Sequence, residues 1–337
     1  VIEVQFETPD YTVLSNTLAV MLKAKPHESG FKIPPVYGNG YIWAEKLPCG
    51  ISLMVADVAF REDFKMVWPI ADENYFSLQF NESDGGKSDV APYLITHSKA
   101  QIPLLHSSVL LTNATITKAA VIPAGVKLRL VHLYFNIQIL STFFPADVVE
   151  VLVNRQLKQI VDNTVLEPIE TAYRIMLDEL QVENHNHPLR INFIQNRILL
   201  LLEKFLLKVI ARKETMGTKP KLSEDEIVRL MKVEALLVKD FSVAAPTIDQ
   251  LSKLSAMSAT KLKSDFKILY GLPIYEYYQK NRMLKAKALL LSSLYSSKEV
   301  GIMVGYTNLS HFATTFKKEF GVLPSELINK ESIKYKE

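Results

Sequence analysis

Thr260, Lys263, Ser264 and Lys267 fall three and four residues apart, and so do Ser310, His311, Thr314, Lys317 and Lys318 some fifty residues later. On a helix such spacing gathers each group on one side. Hydroxyls, an imidazole and ammonium groups presented together suit hydrogen bonds to base edges and neutralisation of phosphates. The residues interleaved with them are apolar: Leu262, Phe266 and Leu269 in the first set, and Leu309, Phe312, Phe316 and Phe320 in the second. These stripes are the expected buried faces.

The elements that would position these faces form an internal repeat. Leu262, Phe266, Lys267 and Gly271 recur 50 residues on as Phe312, Phe316, Lys317 and Gly321, whereas Leu251–Ser252 recurs 49 residues on as Val300–Gly301. The second turn is therefore expected to be one residue longer. Each copy reads as a short helix, a tight turn and a longer helix that stops at glycine, which is a helix-turn-helix. In the first copy Thr247 and Ser258 are the expected caps. Between the copies, residues 274–291 predict one continuous helix of roughly 27 Å. That length could hold two recognition helices in successive major-groove segments, which lie about 34 Å apart on one side of B-DNA.

Residues 247–327 resemble the DNA-binding domain of the AraC/XylS family of bacterial transcriptional regulators. The likeness rests on Arg282, Ala286, Leu289 and Leu290, on Val300 and Val304–Gly305–Tyr306, and on Phe312, Phe316, Lys317, Lys318, Gly321 and Pro324. It implies recognition helices near residues 259–270 and 309–320, with base contacts at Thr260, Lys263, Ser264, Ser310, His311 and Thr314. Lys267, Lys317 and Lys318 complete the expected DNA-binding set. Three positions depart from the family pattern. Ser264 and Thr314 stand where members often carry arginine, the usual bidentate reader of guanine, and Pro273 comes one residue earlier than usual after the glycine.

Charge is distributed in the same sense. The net +3 of the chain conceals +6 over residues 232–337 and −3 upstream, the asymmetry expected of a basic module attached to a different one. The 337 residues suit about two domains. The single cysteine, Cys49, excludes an internal disulfide, and no Cys/His spacing matches a zinc site. No basic start, apolar run and cleavage site opens the sequence, so export is not expected and the cytoplasm is. Residues 191–210 are the most membrane-like stretch, but they carry Arg197, Glu203, Lys204 and Lys208, so no membrane partner is expected.

Upstream, short apolar or alternating runs at residues 41–43, 51–60, 75–80, 109–117 and 126–140 predict β structure through about residue 140. Many strands without intervening helices predict a sandwich or barrel. Ile122–Pro123–Ala124–Gly125–Val126 resembles the end of a cupin-like barrel, the family's sensory domain. From Pro145 a helical period takes over, with helices expected at residues 164–180 and 189–211 and a linker at 213–223. Ile194, Ile198, Leu201, Leu202, Phe205 and Val209 are too many apolar residues for a surface helix; they predict either a dimer interface or an intramolecular seam.

The expected fold class is therefore α+β: a cupin-like β-barrel sensor domain over residues 1–144, a helical dimerisation region and linker over 145–220, and an all-α DNA-binding domain with two helix-turn-helix motifs over 221–337. The expected partners are double-stranded DNA, a second copy of the chain, a small-molecule effector and RNA polymerase. No cofactor, metal or catalytic residue is expected. His97, His106 and His132 lack the cupin ligand cluster, His185 and His187 read as a loop, and no nucleophile elbow, phosphate loop or H-E-x-x-H helix occurs. The alternatives are a regulator without a small effector, or a cupin-like enzyme with an accessory helical tail.

Overall fold

The computed structural model describes residues 1–6, 10–27, 29–68, 75–83, 92–96, 101–103, 107–113, 117–151, 166–181, 188–212, 222–292 and 294–327. The chain divides into two compact units: Val1–Ile169 with Met176–Gly217, and Glu170–Ile175 with Thr218–Glu337.

The first unit is a mixed α+β structure built on two sheets. Among the described residues, five strands pair in the order Ile2–Gln5, Phe64–Val67, Thr117–Ile122, Tyr93–Thr96 and Gln101–Pro103. Eight pair in the order Leu166–Pro168, Ser107–Asn113, Tyr75–Ser83, Lys127–Asn136, Ser52–Phe60, Gly38–Lys46, Gly30–Lys32 and Pro26–His27. Val4, Phe64, Met66, Leu94 and Ile122 of the smaller sheet share one core with Ile42, Met54, Val58, Leu110 and Leu130 of the larger.

The expected closed barrel is not formed: among the described residues both sheets are open. Three of the four outermost strands are only two or three residues long and contain a proline, Pro26, Pro103 or Pro168. Proline has no N–H with which to extend a ladder, so pairing stops there.

The expectation of uninterrupted β structure to residue 140 also fails at two places. Tyr11–Met21 is a helix, α1, capped by the Asp10 carboxylate, which accepts from the Thr12 amide at 2.9 Å. Its Tyr11, Leu14, Ser15, Leu18 and Ala19 are buried at helical spacing. The predicted strand over residues 126–140 ends at Asn136, whose side chain accepts from the Ile139 amide and starts helix α2, Ile137–Phe143.

Among the described residues, three further helices precede residue 213: α3 at Ala146–Val151, α4 at Thr171–Gln181 and α5 at Arg190–Arg212. In α5 the residues Ile194, Ile198, Leu201, Leu202 and Phe205 are all at most 5% exposed within a single chain. That face is an intramolecular seam, because apolar area already removed from water has nothing left to gain from a second chain. The Val209 side chain, the 213–221 part of the linker, His97, His106, His185 and His187 lie outside the described residues. Arg190 anchors the start of α5, donating to Glu45 at 3.0 Å with its guanidinium 5.3 Å from the Trp43 ring. Gln195 accepts from the Cys49 amide at 3.0 Å, and burial raises the pKa of the Cys49 thiol.

The inner face of the larger sheet is not wholly apolar. His132 is buried with Nε2 2.9 Å from Asn81 Oδ1, beside Gln79, which donates to the Ser77 hydroxyl at 3.1 Å. Among the described residues no group of three or more His, Cys, Asp or Glu could hold a metal ion, and no helix is long and apolar enough to cross a membrane.

The second unit is helical. It comprises α6 at Glu224–Leu237, α7 at Ile248–Ser255, α8 at Ala259–Tyr270, α9 at Ile274–Leu291, α10 at Ser297–Met303 and α11 at Leu309–Phe320. A capping box starts α6: Ser223 and Glu226 satisfy each other's amides. Two apolar cores form. Leu230, Leu251, Leu262, Phe266 and Tyr277 belong to the first, and Met283, Val300, Tyr306, Phe312 and Phe316 to the second.

Candidate nucleic-acid interface

Helices α7 and α8 pair as one helix-turn-helix and α10 and α11 as the other. Thr247 with Gln250, and Ser296 with Glu299, form capping boxes at the first helix of each pair. The first turn passes through Ala256 in the left-handed region, φ 49°, and the second through Gly305 at φ 76°. Ser258 then caps α8, while Asn308 caps α11, so the second turn carries the extra residue that the 49- and 50-residue offsets predict. Gly271 and Gly321 end the two longer helices, both left-handed.

Each recognition helix separates its faces as its periodicity demands. Leu262, Asp265 and Phe266 of α8 and Phe312 and Phe316 of α11 are buried. Thr260, Lys263, Ser264 and Lys267, and Ser310, His311, Thr314, Lys317 and Lys318, are all exposed. Two polar, cationic faces therefore stand at equivalent positions of two motifs joined by the 18-residue helix α9.

Contacts unseen in the sequence refine what these faces can do. The Thr314 hydroxyl donates to the Ser310 carbonyl at 2.9 Å. Its proton is thereby committed, which leaves a methyl group and an acceptor lone pair on the exposed face of α11. His311 is seated against Tyr306, ring centroids 5.5 Å apart, with its amide held by Asn308 at 3.0 Å. Lys261 of α8 is engaged within its own unit: its ammonium lies 2.7 Å from both Glu226 and Asp265. The hydrogen bonds to Asp265 and then Glu226 raise its pKa, and the Lys261 ammonium in turn lowers that of Glu226 to about 2.

Residues 251–330 match the family model described as "Helix-turn-helix domain". This is an AraC/XylS-type helix-turn-helix domain. The AraC/XylS-type region is 32% identical over 79 residues to the xylose operon regulatory protein of Escherichia coli (strain K12), a match covering 23% of this chain and 20% of that protein. It is also 32% identical over 85 residues to the HTH-type transcriptional activator RhaR of Pectobacterium atrosepticum, covering 25% of this chain and 30% of that protein. The chain thus spans about a fifth of the first relative and under a third of the second. Among solved structures, the DNA-binding domain of AdpA in complex with a target DNA is 22% identical, with a TM-score of 0.30 over 32% of this chain and 95% of that one. ToxT from Vibrio cholerae is 14% identical, with a TM-score of 0.31 over 82% of this chain and 97% of that one.

Proposed function

We propose that this protein is a sequence-specific, DNA-binding transcriptional regulator and not an enzyme. The observation that carries this reading is the pair of AraC/XylS-type motifs with nine exposed hydroxyl, imidazole and ammonium side chains on α8 and α11. Thr260, Lys263, Ser264, Ser310, His311 and Thr314 contact base edges, and Lys267, Lys317 and Lys318 contact phosphates. Relatives named for operon regulation and transcriptional activation support the same role; in this reading the protein works in the cytoplasm and RNA polymerase is the machinery it acts on.

Selection of sites from random duplex DNA by the full chain tests the reading. Thr314→Ala and His311→Ala are expected to relax sequence preference at individual positions, each good pair being worth about 1–3 kcal/mol. Lys317→Ala is expected to weaken binding to all sites alike and to reduce the slope of log affinity against log salt by about 1. Identical sequence logos for wild type and both recognition-face variants would remove the assignment.

In this reading residues 1–144 are the sensor domain, 145–220 the dimerisation region and linker, and 221–337 the DNA-binding domain. An open cavity of about 630 Å³ in the first unit is lined by Lys23, Lys25, Lys32, Phe31, Tyr41 and Trp43. Its size and its mix of aromatic and cationic groups suit a small-molecule effector.

The partner copy would use the outer face of α5. Leu189 is 61% exposed, Phe193 42% and Leu207 55%; Phe193, the half-buried Leu200 and Leu207 recur every seven residues, the heptad interval at which residues share one face in a coiled coil. Phe193→Glu combined with Leu207→Glu is expected to convert a dimer to a monomer in sedimentation at micromolar concentration. A wild-type chain that sediments as a monomer there rules the dimer out.

A further inference from the structure

Within the second unit the two helix-turn-helix cores are connected by more than the helix between them. Phe241, in the loop after α6, packs against the first core and also against the second. Its ring lies 5.4 Å from that of Tyr278, in the second turn of α9. Its carbonyl oxygen closes on the turn of the second motif: a Cβ on Gly305 would sit 2.1 Å from it. With φ at +76°, Gly305 is held to glycine twice over, by conformation and by this approach. The loop is itself fastened, because the Asp240 carboxylate accepts from the Ser242 amide at 2.8 Å and its hydroxyl at 2.7 Å.

A second set of contacts closes on the same place. Arg282 of α9 donates from Nε to the Val304 carbonyl. Its guanidinium lies 3.8 Å from the Tyr306 ring centroid and 5.8 Å from that of Tyr278, and the Tyr306 hydroxyl donates to Gln279 at 3.2 Å. Three segments therefore meet at one joint: residues 240–242, 278–282 and 304–306. Two bodies joined by one helix can swing as that helix bends. A joint that also ties the loop before the first motif to the turn of the second removes that freedom.

We propose that Phe241 is a positioning residue which, with Gly305 and Arg282, locks the two helix-turn-helix units at a single mutual orientation, so that the protein reads two DNA submotifs at one obligatory spacing. The proposal rests on the DNA-binding reading and adds a specificity element that touches no base. Inserting one base pair between two sites displaces the second by about 3.4 Å along the duplex and turns it by about 35°, since B-DNA makes a turn of roughly 34–36 Å in 10–10.5 base pairs. A rigid pair of recognition helices cannot follow both movements.

The experiment uses the full chain. Sites selected by the wild type are resynthesised with one base pair inserted or deleted between the two submotifs, and affinities are measured by fluorescence anisotropy. The wild type is expected to lose at least about tenfold in affinity on either change, by analogy with the cost of a lost base-pair contact. Phe241→Ala is expected to retain both submotif logos while losing less than about threefold on the same spacer changes. Arg282→Lys, which keeps the charge but not the planar stack on Tyr306, is expected to relax spacing in the same direction and carries the test if Phe241→Ala does not fold. Unchanged spacing discrimination in the folded variants overturns the proposal, as does a wild type indifferent to spacing. A wild type that selects no DNA sequence defeats the DNA-binding reading instead, which separates the two failures.

Discussion

Arg174→Met is expected to destabilise the C-terminal unit by about 3–5 kcal/mol, the usual cost of stranding one member of a buried ion pair. Glu234 of α6 is completely buried, while Arg174 is 15% exposed. The arginine reaches Glu234 through both terminal nitrogens, at 2.6 Å and 2.9 Å, and the Tyr277 hydroxyl donates to the same carboxylate at 2.9 Å. Burial, followed by the nearby Glu234 charge, raises the pKa of the Tyr277 hydroxyl well above its ordinary value, so Tyr277 remains a donor.

Without Arg174 the carboxylate has one neutral donor to offset its desolvation. Urea unfolding of the full chain and the variant measures the difference. The double variant Arg174→Met with Glu234→Met is expected to recover most of the loss, because replacing both charges with apolar groups of similar size is often neutral or better. A single variant within about 1 kcal/mol of the wild type would show that water or another group compensates Glu234. Since Glu170–Ile175 belongs to this unit, a fragment starting at residue 221 is expected to be less stable than one starting at 168, for the same reason.

Acid is expected to destabilise the N-terminal unit well before its carboxylates are neutralised. His132 is buried on the inner face of the larger sheet, and burial lowers its pKa from 6.5 to about 3. Between those values the unfolded chain binds a proton that the folded chain refuses. The stabilisation is complete above pH 6.5 and is lost progressively as pH falls toward 3, to a total of about 5 kcal/mol. Both tryptophans, Trp43 and Trp68, lie in this unit, so their fluorescence reports its unfolding in urea at a series of pH values. His132→Gln removes the titrating group and keeps a polar partner for Asn81. It is expected to flatten the pH dependence between 6.5 and 4 relative to the wild type, and parallel curves would show that His132 takes up its proton without unfolding the sheet.

Where information was local, the sequence was sufficient. The two helix-turn-helix motifs depend on apolar residues three and four apart, on caps such as Thr247 and Ser258, and on the terminating glycines Gly271 and Gly321. A helix sets its faces within a few residues, so the division between buried Phe266 and exposed Lys263, or between buried Phe316 and exposed Thr314, could be read without any tertiary partner. The Asp10 cap and the buried positions 11, 14, 15, 18 and 19 of α1 carried the same kind of signal, masked by apolar β-like runs on the residues that follow.

The tertiary structure decided what depends on partners distant in the chain. A row of apolar residues on α5 shows that a face must be buried but not against what; the folded chain covers Ile194, Ile198 and Leu201 itself and leaves Phe193 and Leu207 outside. Strand runs do not declare whether their last members will meet, and the short proline-bearing edges at Pro26, Pro103 and Pro168 leave both sheets open. Arg174 pairs with Glu234 across 60 residues, and the Phe241 carbonyl approaches Gly305 across 64. Neither leaves a local pattern, because an ion pair or a backbone approach needs only that two points coincide in space, and chain spacing constrains such coincidences weakly once the intervening loop is long.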